Sequence, residues 1–210
     1  MTAGTLEKYD VKRVHRHLYR APREEFVLVD VPPSTVLAVD GRGDPNTSPE
    51  YVEAVEALFS VAYALKFLSR RERERDFTVA PLEGLWRAAD TASFIRRDKD
   101  GWEWTMLIAQ PGWITAEEVE RARAAAGRRK RLPALELLGL RTLDEGLSAQ
   151  ILHVGPYDDE GPVLARLHRE FMPARGLTFG GDHHEIYLRD ARRTPPGKLR
   201  TILRQPVRPA

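Results

Sequence analysis

The chain has no cysteine, which excludes disulfide frameworks, thiolate zinc sites and cysteine nucleophiles. It also lacks long apolar runs. No window approaches the roughly 18 apolar residues of a membrane span. The stretch MTAGTLEKYDVKRVHRHLY carries no apolar segment of the signal-peptide kind, so a cytoplasmic protein without membrane contact is expected. Net charge is scarce as well. The 33 basic residues nearly cancel the 31 acidic ones and leave +2, too little for the concentrated cationic footprint of direct nucleic-acid binding. Serines are few, and none sits in a GxSxG elbow. The turn GRGDP (41–45) lacks the lysine and following helix of a phosphate loop. Nucleophile triads, ATP chemistry and nicotinamide chemistry are therefore not expected, and no cofactor is implied.

What is present suffices for a folded domain. Apolar residues make up 42% of the chain, enough for a core, and the 30% that is charged can cover it. Residues 1–29 read as a polar lead-in. FVLVD and TVLAVD (35–40), split by Pro-Pro, have the composition of strands. Ser48 and Pro49 then mark a helix start, and YVEAVEALFSVAYALKFL repeats apolar residues at helical spacing. Strands are expected over 77–88 and 101–111, joined through the turn RRDKDG (96–101). TAEE at 115–118 has the pattern of a capping box opening a second helix. Beyond it, ILHVGPYDDE, VLARLHREFMPARG, HHEIYLRD and KLRTILRQPV read as strand, helix, strand, strand. The first half shows the same succession, which predicts two pseudo-repeats (30–111 and 147–206) joined by a helical connector (112–146) within one domain spanning 30–206. The expected class is α+β, with duplicated strand–helix–strand–strand (SHS2-type) units, helices on one face of a mainly antiparallel sheet, and a ligand groove between the repeats.

Side-chain alternation assigns faces. In HHEIYLRD, His184, Ile186 and Leu188 share one face, expected against the helices. His183, Glu185, Tyr187 and Arg189 share the other, expected to line the groove. His183 and His184 point apart and cannot chelate one ion, and no third ligand accompanies His183 and Glu185 at a metal-site spacing, so no metal is expected. In GWEWTMLIAQ, Trp102, Trp104, Met106 and Ile108 share a face, with Trp86 and Trp113 nearby in sequence. Such a cluster is either aromatic core or a hydrophobic box for a flat ligand, and Phe59 and Tyr63 on the first long helix could wall it. Burial of Glu185 in such a box would raise its pKa, suiting it to act as a general base or to meet a cationic ligand. Tyr187 could then donate to a developing oxyanion. Glu83 in LEGLW is a second acidic candidate, with an exposed surface position as the alternative.

These stretches carry a resemblance. ILHVGPYDDE, with HHEIYLRDARRTPPGKLRTILRQPV, resembles the GyrI-like small-molecule-binding family, and PLEGLW with its following tryptophan strand is similar to that family's stand-alone branch. The resemblance covers residues 30–206. It implies the duplicated fold with a groove between repeats and places Glu185 at the position of the pocket glutamate. The stand-alone branch implies a cyclopropanoid cyclopropyl hydrolase, which adds water across an activated cyclopropane of a DNA-alkylating product. In that role Glu185 and Tyr187 would be the catalytic residues. Trp86, Trp102, Trp104, Met106, Phe59, Tyr63, Glu83, Trp113 and His183 would form the ligand surroundings. The alternatives are non-catalytic sequestration of amphipathic or cationic aromatic drugs and a gyrase-inhibitor-like interaction protein. No helix-turn-helix with a coiled-coil linker precedes the domain in this sequence, which disfavours a regulator. The expected partner is a hydrophobic or aromatic small molecule, and the expected state is a monomer or homodimer.

Overall fold

The computed structural model describes residues 8–87 and 101–210; most of the turn expected over 96–101 lies outside them. Nine strands form one sheet among the described residues: β1 (Val27–Val31), β2 (Ser34–Arg42), β3 (Glu83–Arg87), β4 (Glu103–Ala109), β5 (Gly139–Leu143), β6 (Gly146–Val154), β7 (Leu177–Phe179), β8 (His183–Tyr187) and β9 (Arg200–Pro209). The order is β1-β6-β9-β8-β3-β4-β2-β5, with β7 on β9, and all strand pairs are antiparallel. Within that order β6-β9-β8 and β3-β4-β2 mirror each other across the β3/β8 seam. Each unit runs strand, helix, strand, strand along the chain, the second with the short β7 inserted before β8, so the duplicated plan is realised, with β3 and β8 paired at its centre.

The long helix α2 (Pro49–Glu72) belongs to the first unit. Pro49 opens it, and Ser48 precedes it with extended backbone but makes no side-chain cap. Its apolar stripe (Ala54, Leu58, Ala62, Leu65) is buried and packs on β2 and β4. Helix α3 (Ala116–Arg129) lies on α2; Thr115 and Glu118 close its capping box. In the second unit α4 (Gly161–Arg166) runs on as a wider turn through Phe171. Val163, Leu164, Leu167 and Phe171 there cover Ala149, Ile151, Leu203 and Val207 of β6 and β9.

The cross-strand registers place Trp86, Trp104 and Met106 on one face together with His183, Glu185 and Leu203. This is the face that carries α2 and α4. The expectation for β8 is thereby corrected: Glu185 and Tyr187 lie on the helix side. Ile186, with His184, lies on the other side, which the N-terminal residues cover through a bond from Arg204 to the Leu18 carbonyl and one from Gln150 to the His17 carbonyl. The reason is positional. The strand β8 sits between the two helices, so its helix-side face is flanked by them and not covered. Two other segments differ from the sequence reading. The connector 112–146 contributes β5, an edge strand on β2. The strand expected over 77–88 is paired in the sheet only from Glu83, with Phe77 making an isolated bridge to Tyr9. A short α1 (Val11–Val14), capped by Asp10, opens the N-terminal covering.

Candidate functional site

The seam between the repeats pairs Gly84 with Glu185 and Trp86 with His183. Gly84 keeps the floor low. A Cβ there would stand 3.0 Å from Trp86 Nε1, 3.2 Å from the Tyr187 hydroxyl and 3.3 Å from Met106 Cε, all tighter than ordinary contact. The space is occupied instead by a polar chain: Trp86 Nε1 donates to the Tyr187 hydroxyl at 3.1 Å, and that hydroxyl donates to Glu185 Oε2 at 2.8 Å. The tryptophan thus fixes the phenol, and the phenol fixes the carboxylate.

Aromatic rings surround this chain. Tyr51, in the first turn of α2, stacks on Trp86 at 6.5 Å between centroids and meets Trp104 edge-on at 5.5 Å. Trp102 is edge-on to Trp86 at 5.6 Å. From the second repeat, Tyr157 packs edge-on against Tyr187 at 5.5 Å while remaining 37% exposed, so it stands between the polar chain and solvent. The Glu185 side chain keeps 14% exposure. Burial and then the neighbouring Glu185 charge raise the pKa values of Tyr187 and Tyr51 above the ordinary phenol value, and Tyr157 reaches about 12. All three are hydrogen-bond donors at neutral pH.

A second carboxyl enters from the start of α4. Glu160 is 5% exposed and comes within hydrogen-bonding contact of Glu185. Burial first, and the Glu185 charge second, push its pKa up to about 10. His183 shares this face and has 9% exposure. Its Nε2 lies 3.7 Å from Glu185 Oε1, and burial lowers its pKa to about 3. It is therefore neutral, and the contact is not an ion pair. Among the described residues no group of three or more His, Asp or Glu is placed to hold a metal ion.

The residues singled out from sequence separate into groups. Glu185, Tyr187, Trp86, Trp102 and His183 come together at the seam. Trp104 and Met106 lie beside them, fully buried in the core under α2. Phe59 packs partly buried on that core, while Tyr63 points outward at 49% exposure; the ring α2 supplies to Trp86 is that of Tyr51. Trp113 belongs to a separate cluster with Tyr9 and Phe77, under the Arg75 guanidinium. Glu83 pairs with Ile186 in register and so faces away from Glu185. It is buried, accepting from the Tyr19 hydroxyl at 2.8 Å and lying 3.0 Å from His184 Nε2. Sequence reasoning missed Tyr51, Tyr157 and Glu160. A signal for Tyr51 existed, because it is seven residues before Leu58 and hence on the same helix face. GPYDDE offered three acids after a tyrosine, and nothing in the pattern says which one turns inward.

The face behind the seam is differently built. His184 lies between Glu83 and Glu145, 2.9 Å from the latter, and Arg204 donates to Glu145 at 3.0 Å. Burial opposes the His184 charge, but Glu145 and Glu83 outweigh it and hold its pKa at about 9. Burial likewise acts against the Glu145 charge, yet His184 and Arg204 bring its pKa down to about 2. Two cavities, of about 300 Å³ and about 200 Å³, open on this side of the sheet, the smaller lined by Glu83, Glu145, His184 and Arg204. Those charges already satisfy one another and anchor the N-terminal covering.

Comparison with known proteins agrees with this architecture. A protein of Listeria innocua described as an uncharacterized conserved protein is 36% identical, with a TM-score of 0.86 over 96% of this chain and 100% of that one. A second from Listeria innocua, described as a hydrolase, is 35% identical, with a TM-score of 0.83 over 96% and 100% of the two chains. The C-terminal domain of EcmrR, 11% identical, shares the fold at a TM-score of 0.60 over 89% of this chain and 98% of that one. No curated protein matches the sequence. The profile of the GyrI-like small molecule binding domain matches residues 24–208, and the chain belongs to that family.

Proposed function

We propose that the protein is a hydrolase that binds a flat, conjugated electrophile at the seam between its repeats and opens an activated cyclopropane by adding water. The observation that carries this reading is the Trp86–Tyr187–Glu185 chain. It presents one oriented carboxylate, partly exposed and ringed by Tyr51, Trp102 and Tyr157. Similarity to a Listeria innocua protein described as a hydrolase supports it.

Glu185 positions a water and takes its proton as the oxygen attacks the strained ring carbon. The aromatic rings offer apolar faces to a conjugated ligand and exclude bulk water from the reacting carbon. Tyr187 holds the carboxylate in place and remains protonated throughout. Tyr157 sits over Tyr187, so a ligand enters by displacing that ring. Genotoxic cyclopropane-bearing alkylators are the substrate class.

The test is incubation with a cyclopropane-bearing alkylator, followed by mass spectrometry for a product heavier by one water. Wild type should yield the adduct, and Glu185→Gln should slow it by ~10²–10⁴-fold. A ligand that binds tightly but returns unchanged would support sequestration and sink the hydrolase reading. Normal turnover by Glu185→Gln would overturn only the assignment of the base.

A further inference from the structure

Glu160 reaches the seam from a different repeat unit than Trp86 and is one of two carboxyls there. Carboxyl groups in hydrogen-bonding contact cannot both be ionised, because a bond between them needs a proton on one. The surroundings decide which one keeps it. Glu185 accepts from the Tyr187 hydroxyl and retains access to solvent, both of which favour its charged form. Glu160 is more deeply buried, packed against Glu185 and against the buried hydroxyl of Thr201 on the adjoining strand β9. Burial and the neighbouring Glu185 charge favour its neutral acid and outweigh the Thr201 hydroxyl, which favours the charged form. The groups acting on Glu160 are Glu185 from β8, Thr201 from β9 and Asp158 from its own turn; Tyr187 and Tyr51 complete the surroundings of Glu185. Its pKa of about 10 accords with the geometry.

We propose that Glu160 is the acid partner of Glu185, the two carboxyls holding one proton between them and dividing the roles of acid and base in ring opening. The proposal rests on the hydrolase reading above. In the step, the water oxygen forms a bond to the ring carbon while Glu185 takes the water proton. The strained carbon–carbon bond breaks, and its electron pair moves through the conjugated system to the ligand's oxygen. That oxygen receives the proton of Glu160. The product leaves with the atoms of one water added. The proton now on Glu185 crosses the contact to Glu160 and restores the starting pair, so no outside acid is consumed.

Two measurements test this together. The first is carbon-13 NMR of glutamate carboxyls against pH in the substrate-free protein. One carboxyl should titrate in the alkaline range in wild type and be missing in Glu160→Gln. If every glutamate carboxyl titrates below about pH 6, near the ordinary carboxylate range, the proposal is overturned whatever the substrate. The second is kcat/KM against pH with a cyclopropane-bearing alkylator. Wild type should give a bell, its acid limb from ionisation of the pair's first proton and its alkaline limb from loss of the second. Glu160→Gln should keep the acid limb, lose the alkaline limb and fall by ~10²-fold or more. Retention of the wild-type rate and of both limbs would reject Glu160 as the acid. An alkaline carboxyl in a protein that opens no cyclopropane at any pH would sink the hydrolase reading and leave the shared proton standing.

Discussion

At the scale of single residues, Glu160 is costly to stability. In the unfolded chain its pKa is near 4.5, and in the fold it is about 10, so above pH 4.5 folding must take up a proton. On this residue's account alone the fold loses stability as pH rises from about 4.5 towards 10. By linkage this amounts to roughly 3 kcal/mol at pH 7. Glu160→Gln keeps the shape without the proton. It should therefore unfold at higher urea concentration than wild type at pH 7 and match it at pH 4. Equal midpoints at pH 7 would show that Glu160 is ionised in the fold. Tyr187→Phe takes the donor from Glu185 and the acceptor from Trp86 Nε1. Leaving such buried groups unsatisfied costs ~1–3 kcal/mol, which denaturant titration would register, and turnover should fall because the carboxylate loses its orientation.

At the scale of elements, the seam depends on what its strands omit. Gly84 has no side chain where one would strike Trp86 and Tyr187. Gly41 likewise lies under the Trp104 ring, where a Cβ would come within 2.1 Å of it. Gly84→Ala should cost ~1–3 kcal/mol through overpacking and weaken ligand binding; an unchanged urea midpoint and unchanged affinity would contradict this. The helix α3 shows how much local sequence can specify. TAEE predicts a capping box, and both of its hydrogen bonds are formed. Thr115→Ala should therefore destabilise by ~1 kcal/mol, with no effect on the distant seam. Ser48 is likewise a hydroxyl residue at an N-cap position but makes no cap bond. A capping residue marks where a helix starts, and the backbone around it decides whether the side chain turns in.

At the scale of the whole molecule, β8 divides two electrostatic environments with adjacent residues. Glu185 faces the aromatic side with Trp86, Tyr187 and Tyr157, and His184 the ionic side. The pKa of His184 rises from 6.5 to about 9 on folding. Its contribution is thus fully present below pH 6.5 and lost as pH rises through about 9, up to roughly 3 kcal/mol by linkage. The pKa of Glu145 falls from 4.5 to about 2, so its contribution is present above pH 4.5 and lost as pH falls towards 2. His183, whose pKa folding lowers from 6.5 to about 3, favours the fold increasingly as pH rises to about 6.5 and offsets Glu160 there. Wild-type stability should therefore stay level from pH 4.5 to 6.5 and decline from there towards pH 10, with both Glu160 and His184 contributing. In Glu160→Gln stability should instead rise between about pH 4.5 and 6.5 and decline above it with His184 alone. A Glu160→Gln profile that runs parallel to wild type between pH 4.5 and 6.5 would show that Glu160 takes up no proton on folding. The N-terminal covering depends on the same ionic cluster, since Arg204 holds both Glu145 and the Leu18 carbonyl.

The sequence by itself determined the succession of elements and the side-chain parity within each strand, because periodicity and capping are local. That parity correctly set Glu185 and Tyr187 together and apart from His184. Long-range register lay outside its reach. Only the tertiary structure decided that Gly84, and not Glu83, stands opposite Glu185, for a shift of one residue in pairing exchanges the faces. It also decided which face of β8 the helices flank, that Tyr51 and not Tyr63 meets the tryptophans, and that Glu160 turns inward beside Glu185. Each depends on segments far apart in the chain arriving at the same place, which no spacing within one segment encodes.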